Sequence, residues 1–293
     1  MSTDTPLVSI LTPTYNRADF LPLAIESVLN QSYTNIEMHL VDDGSTDNTS
    51  ELVKKYLSDS RLHYYQQENQ GQSVARNKAL KHCKGDLICF LDSDNLFHLD
   101  KISTQVSILQ SNPEVDIVYG DSELIDINGE VFSTQNIKRH SGMIYEKMLL
   151  DNIVGMNTAM ARRKCFDELG GLDESIRVAD DYDLWLRFST KYRFLYEPAF
   201  FAQYRIMEDQ ISSDKSRRFE SNRRIIEKSM IENPELITDK YRNYVWCNFY
   251  VRKGRTLARM GKRGEALSNY RKALHYDYFS SKPWKNILKL LLP

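Results

Sequence analysis

Cysteine is scarce in this chain, at four of 293 residues. Cys83, Cys89, Cys165 and Cys247 form no C-x-x-C pair and have no histidine at metal-ligand spacing. That argues against a zinc site or a disulfide framework and leaves reduced, mostly buried thiols. Long apolar runs are missing too, none approaching the roughly 18 residues needed to span a bilayer. The opening MSTDTPLVSI has no basic stretch followed by an apolar one, as a secretory leader would have. A cytoplasmic protein is therefore expected. Low-complexity segments and long linkers are also absent, so domain boundaries carry no compositional mark.

What is present is an ordinary globular balance, 41% hydrophobic and 27% charged, in a chain long enough for one large or two modest domains. The net charge of -1 conceals an asymmetry. Residues 1–212 hold 20 Lys+Arg against 32 Asp+Glu, a balance of -12, whereas 213–293 hold 19 against 8, a balance of +11. The two parts are expected to face different partners.

Strands are expected at VSILTPT, IEMHLVDD, LHYYQQ, DLICFLD and DIVYGDSELI. Leu21, Ile25, Val28 and Leu29 recur at helical spacing after the first, and Leu52, Val53, Tyr56 and Leu57 after the second; SVARNKALKHC and 99–110 also read as helices. Such alternation predicts an open, mostly parallel α/β sheet covered on both faces, with ligands at the carboxyl ends of the strands. Those ends carry Pro13-Thr14-Tyr15-Asn16-Arg17, Asp42-Asp43-Gly44-Ser45 and Asp92-Ser93-Asp94, which should converge on one edge.

In VDDGSTDNT, a turn and a helix cap account for Ser45, Thr46 and Asp47, but not for Asp42 and Asp43 side by side. Asp43 is free to accept hydrogen bonds from a heterocycle or a ribose. FLDSDN could be a simple turn, yet two carboxylates two residues apart repel. Mg²⁺ or Mn²⁺ between them and a nucleotide diphosphate would relieve that. Arg76, in GQSVARNKAL, lies on a solvated face or, near a helix N-terminus, meets a phosphate or carboxylate. Asp180, Asp181 and Asp183 exceed what a first helical turn needs, and a carboxylate beside Leu184, Trp185 and Phe188 can serve as a general base.

Taken in order, VSILTPTYNR, VDDGSTDNT, GQSVARNKAL, FLDSDN, GGLDES and DDYDLWLRF resemble the inverting family 2 glycosyltransferases of the GT-A fold, over roughly Leu7 to Ser212. The resemblance implies a catalytic domain over 1–212, with a Rossmann-like nucleotide-sugar half at 7–110 and an acceptor half at 111–212. It implies that Pro13, Tyr15 and Arg17 line the nucleotide pocket, with Ser93 beside them, and that Asp43 contacts the base, commonly uracil. Arg76 would lie near the base and diphosphate, Asp92 near the ribose and metal, and Asp94 on the cation. Asp181 matches the family's base, with Asp180 where the family has Glu. In YRIMEDQISS, Tyr204, Arg205 and Ser212 resemble a late family segment, but Met207 replaces a common His.

The activity that the resemblance implies is metal-dependent transfer of a sugar from a nucleotide diphosphate, a UDP-sugar, to a saccharide or lipid-linked acceptor. A nucleotidyltransferase should show a glycine-rich basic loop where this chain has TPTYNRADF. A non-catalytic nucleotide-sugar-binding scaffold acting through its tail is the alternative.

In the tail, Tyr250, Gly254, Ala266, Tyr270 and Ala273 resemble the spacing of a tetratricopeptide repeat, with Tyr278 where that repeat has Pro. A single copy is expected to pack as a helical hairpin on the catalytic domain, because solenoids need about three, with a protein-docking module as the alternative. Lys282, Trp284, Lys285, Leu288, Lys289, Leu290 and Leu291 fit either a helix on an anionic membrane surface or a solvated basic face. No nucleic-acid-binding motif is present.

Overall fold

The computed structural model describes residues 5–207 and 214–291. Strands β1 (Val8–Thr14), β2 (Ile36–Asp42), β3 (Leu62–Gln66) and β4 (Leu87–Phe90) lie parallel in the order β3-β2-β1-β4. Every residue of β1, β2 and β4 is buried, which is why they read as apolar runs such as VSIL and LICF. Helices α1 (Leu21–Leu29), α2 (Thr49–Val53), α3 (Gln72–His82) and α4 (Lys101–Ser111) provide the crossovers. Leu21, Ala24, Ile25 and Val28 are the buried stripe of α1, on the spacing that marks it in the sequence. They join Val8, Ile10, Met38, Leu40 and Cys89 in one apolar core, and all four thiols are buried and free.

Beyond β4 the sheet becomes mixed. β5 (Leu96–Phe97), β6 (Ile117–Ile125), β7 (Val131–Thr134), β8 (Met160–Arg162) and β9 (Phe194–Arg205) complete the order β3-β2-β1-β4-β8-β6-β9-β5, with β7 on β6. β8 runs antiparallel to both β4 and β6, whereas β9 runs parallel to β6. Pro198 falls inside β9 where the register against β6 shifts, between Tyr119↔Tyr196 and Asp121↔Phe200. That irregularity accommodates a residue with no N–H to give the ladder.

Short helices α5 (Tyr145–Leu150) and α6 (Arg163–Leu169) precede α7 (Asp180–Ser189), whose Leu184, Trp185 and Phe188 are buried as the amphipathic pattern requires.

The chain divides into two compact units, Met1–Tyr145 with Asn152–Ser221, and Glu146–Asp151 with Asn222–Pro293. The boundary expected after Ser212 lies outside the described residues. Helix α8 (Lys215–Glu232) contributes to both units, and α9 (Asp239–Arg259), α10 (Arg263–Tyr276) and α11 (Ser281–Leu291) belong to the second. Among the described residues no helix is long and apolar enough to cross a membrane.

The hairpin of α9 and α10 uses the residues singled out by their spacing. Tyr250 stacks on Tyr276 at 5.7 Å between ring centroids, and Leu257, Ala266 and Tyr270 form a small core. Gly254 lets the two helices approach: a Cβ there would stand 2.5 Å from the Tyr270 ring. Gly254→Ala should therefore destabilise the protein by about 1–3 kcal/mol despite its higher helix propensity. Urea unfolding followed by circular dichroism measures this, and an unchanged midpoint would show that Tyr270 can give way.

Candidate active site

The strand ends meet as expected. Thr14 and Asp42 are register partners at the carboxyl ends of β1 and β2, and the Asp43 N–H donates to the Thr14 carbonyl at 2.8 Å. The two following loops are stitched together by side chains. Asn16 N–H donates to Ser45 Oγ at 3.0 Å, Thr46 N–H to Asn16 Oδ1 at 2.8 Å, and Ala18 N–H to Asp47 Oδ2 at 3.1 Å. Asn16 is held at a positive φ of 51°, a conformation that asparagine tolerates. Neither Ser45 nor Thr46 caps the following helix, contrary to expectation: α2 starts at Thr49, whose N–H donates to Asp47 Oδ1 at 3.0 Å. Ser45 instead meets the nearer amide of the neighbouring loop.

Pro13 is buried in β1, and Tyr15 beyond it is 46% exposed on the loop. The Asp43 carboxylate braces the segment before α3. It accepts from Gln67 Nε2 and Gln70 N–H on Oδ1, each at 2.8 Å, and from Gly71 N–H on Oδ2 at 2.7 Å. A carboxylate has about four acceptor sites, so this one retains room for roughly one more donor.

Arg76 sits at the centre of the site, 3% exposed. Its Nη2 meets Asp92 Oδ1 at 2.5 Å and its Nη1 meets Asp180 Oδ2 at 2.6 Å. Burial works against the guanidinium charge, but Asp180 and Asp92 outweigh it and push the pKa up. The sequence expectation of an anionic partner is met by two carboxylates of the protein itself. Asp180 also accepts from Gln72 Nε2 at 2.8 Å and Ser73 Oγ at 3.1 Å, so this acid is structural. Asp183 lies 3.5 Å from Arg187, a helical i,i+4 pair.

Asp92 is locked in turn by Asn157, which donates from Nδ2 to its Oδ2 at 3.0 Å and accepts from its N–H at 2.8 Å. Ser93 is buried in the same turn. Asp94 is different. Burial and the Asp92 charge push its carboxyl up to about 6, and Arg17, with Nε 3.8 Å away, and Arg205 offset this only partly. Arg205 grips the turn from β9, donating from Nε to the Asp94 carbonyl at 3.0 Å. A buried carboxyl destabilised by a neighbouring one is the electrostatic setting that a hard divalent cation relieves, so Asp92 and Asp94 fit such an ion.

Asp181 follows directly on the clamped Asp180. Burial, then the Asp180 charge, push its carboxyl up to about 6, while Arg218 and Arg76 pull the other way. Its Oδ2 accepts from Asn152 Nδ2 at 2.8 Å and its Oδ1 from the Tyr182 N–H at 2.8 Å. Ala179, just before, is left-handed at φ 63°, a placement that costs an alanine roughly 1 kcal/mol.

Asn152, Asn157 and Arg218 were not singled out by the sequence. Asparagine in an irregular stretch reads as a turn residue, and Arg218 counts there only as one more tail cation. Met207 ends the described part of its segment, and Ser212 lies outside the described residues.

Residues 9–170 match the model of the family described as Glycosyl transferase family 2. The chain belongs to that family. It is 35% identical over 214 residues to the putative teichuronic acid biosynthesis glycosyltransferase TuaG of Bacillus subtilis, covering 72% of this chain and 83% of that one. It also matches uncharacterized glycosyltransferases of several Rickettsia species, of whose length the match spans between 26% and 60%. Among solved structures, Staphylococcus aureus TarS 1-349 in complex with UDP-GlcNAc superposes with a TM-score of 0.68 at 16% identity, over 97% of this chain and 90% of that one. The mannosyltransferase PcManGT of Pyrobaculum calidifontis, in complex with GDP-Man and Mn²⁺, gives 0.59 at 18% identity, over 99% and 88%. These neighbours establish the GT-A fold.

Within this family 2 domain Arg76 is the shared cation of Asp92 and Asp180. Arg76→Met would leave Asp92 and Asp180 without their shared cation, a loss of about 3–5 kcal/mol for a broken buried pair. Differential scanning calorimetry should show a markedly lower Tm, and a Tm within a degree or two of wild type would refute the clamp.

Proposed function

We propose that this chain transfers a single sugar from a nucleotide diphosphate donor, a UDP-sugar, to an acceptor hydroxyl with inversion at the anomeric carbon. The observation that carries the reading is the Arg76 bridge. It ties Asp92, at the donor edge of the sheet, to Asp180, and so sets Asp181 beside the donor-edge acids. Pro13, Tyr15, Arg17, Asp43 and Ser93 line the nucleotide side in this reading, while Arg76 positions Asp92 rather than meeting phosphate. Asp94, with Asp92, holds Mn²⁺ or Mg²⁺, which when bound offsets charge on the departing diphosphate.

Asp181 accepts the proton of the acceptor hydroxyl as that oxygen attacks. A carboxyl raised to about 6 is a stronger base than an ordinary aspartate and is still ionised near neutral pH. Asn152 fixes its direction. A single in-line displacement requires no covalent enzyme intermediate.

The complexes of TarS with UDP-GlcNAc and of PcManGT with GDP-Man and Mn²⁺ support a nucleotide-sugar donor and a divalent ion. The name of TuaG supports a saccharide or lipid-linked saccharide acceptor in polysaccharide or glycolipid assembly. Nucleic acid has no place in this reading.

Asp181→Asn should keep UDP-sugar affinity while lowering turnover by about 10² to 10⁴-fold, the worth of a general base. With Mn²⁺ saturating, so that Asp94 stays ionised, the wild-type kcat/KM should fall as pH drops through about 6, where Asp181 takes up its proton, and the variant should lose that limb. Wild-type turnover in Asp181→Asn would move the base elsewhere. For Asp94→Asn, calorimetric titration should find that Mn²⁺ no longer strengthens UDP binding, and an undiminished Mn²⁺ effect would remove Asp94 from the cation site.

A further inference from the structure

The second unit holds a groove of about 560 Å³ that the sugar-transfer reading does not use. Its walls carry Arg255 and Arg259 from α9 and Lys282, Lys285 and Lys289 from α11. No acidic residue lines it, and among the described residues none of these five cations is paired with a carboxylate. Tyr270, buried, lies beneath, and the positive field of Arg255 and Arg259 reaches its hydroxyl. Such a set of cations is built to receive phosphate oxygens.

Next to the groove the surface is apolar. Helix α11 has no acidic residue and is anchored to the α9–α10 hairpin by Ile287 and Leu290. Trp284 and Leu288, at i and i+4, form an exposed stripe alongside Lys285 and Lys289. Leu288 is 61% exposed, and Phe279 in the preceding turn is 92% exposed. The Tyr278 ring packs edge-on against Trp284 at 5.6 Å, and Trp284 Nε1 donates to the Tyr278 carbonyl at 2.9 Å, so the aromatic cluster is held in place. A soluble phosphate ligand would use the cations alone. An anionic bilayer uses both, headgroup phosphates meeting the cations and aromatic rings entering the interface. Nucleic acid would leave the apolar stripe unaccounted for.

We propose that the second unit docks on an anionic phospholipid bilayer, with lipid phosphates in the groove of Arg255, Arg259, Lys282, Lys285 and Lys289 and with Phe279, Trp284 and Leu288 in the headgroup layer. This inference is independent of the sugar-transfer reading.

Co-sedimentation of the full chain with vesicles tests it. Vesicles containing phosphatidylglycerol should carry the protein down, and vesicles of phosphatidylcholine alone should not. Replacing Lys282, Lys285 and Lys289 together by Glu should weaken binding about a hundredfold or more. The Phe279→Ser, Leu288→Ser double variant should weaken it about tenfold with the cations intact. All these positions are exposed, so helical circular dichroism should be unchanged; if it falls for the Glu variant, Gln at the same positions carries the test. Equal binding to both kinds of vesicle, or full binding by the charge variant, overturns the proposal. So does a groove that binds inorganic diphosphate or duplex DNA through these lysines while phosphatidylglycerol vesicles fail to sediment the protein.

Discussion

One guanidinium organises the first unit. Arg76 leaves α3 and takes a carboxylate from the loop after β4 with one arm and a carboxylate from the start of α7 with the other. Asp180 alone would be costly to hold in a dry interior, Asp92 less so because it keeps some exposure, and Arg76 alone would be costlier still. Together they are tolerable, and the geometry of one planar group then dictates how far the strand edge stands from the helix. The flanking contacts serve the same arrangement: Asn157 steadies Asp92, and Gln72 and Ser73 steady Asp180.

Around this clamp charge is unevenly compensated. Asp92 and Asp180 have their cation, whereas Asp94 and Asp181 are raised by burial and by the acids beside them. The sign for stability follows from the shift. A folded carboxyl near 6 against about 3.9 in the unfolded chain means that the native state binds more protons between those values. Stability from these two groups is thus present at acid pH and declines as pH rises through about 6. The fold keeps Asp94 and Asp181 at a cost in stability.

Much of this was legible in the sequence, for identifiable reasons. Strands β1, β2 and β4 are buried on both faces and advertise themselves as apolar runs, and the half-buried β3 as a short run rich in tyrosine. The acids were legible as an excess: a turn and a cap account for Asp47, whereas a turn at Asp92 and Asp94 leaves their mutual repulsion unanswered, and a first helical turn needs fewer than the three acids at 180, 181 and 183. β9 was hidden by Pro198, which reads as a strand breaker until its bulge is seen. β5 and β8 are too short for any periodicity. Arg76 was legible as an anion seeker, but its partner Asp180 is 104 residues away, and pairing over that separation leaves no local pattern. Asn152 and Asn157 escaped because an amide that orients a carboxylate looks like any loop asparagine.

The left-handed Ala179 has a consequence for how the chain can drift. Its φ of 63° suits glycine and is tolerated by asparagine or aspartate, while a β-branched or bulky residue would be strongly disfavoured. Aspartate there would add a further charge beside Asp181, a carboxylate already short of compensation. Few single-residue steps are therefore open at this position, whereas Asp180 and Asp181 stand on ordinary helical backbone, which any acid can adopt. At this end of α7 position 179 is restricted by its backbone, and positions 180 and 181 only by what their side chains touch.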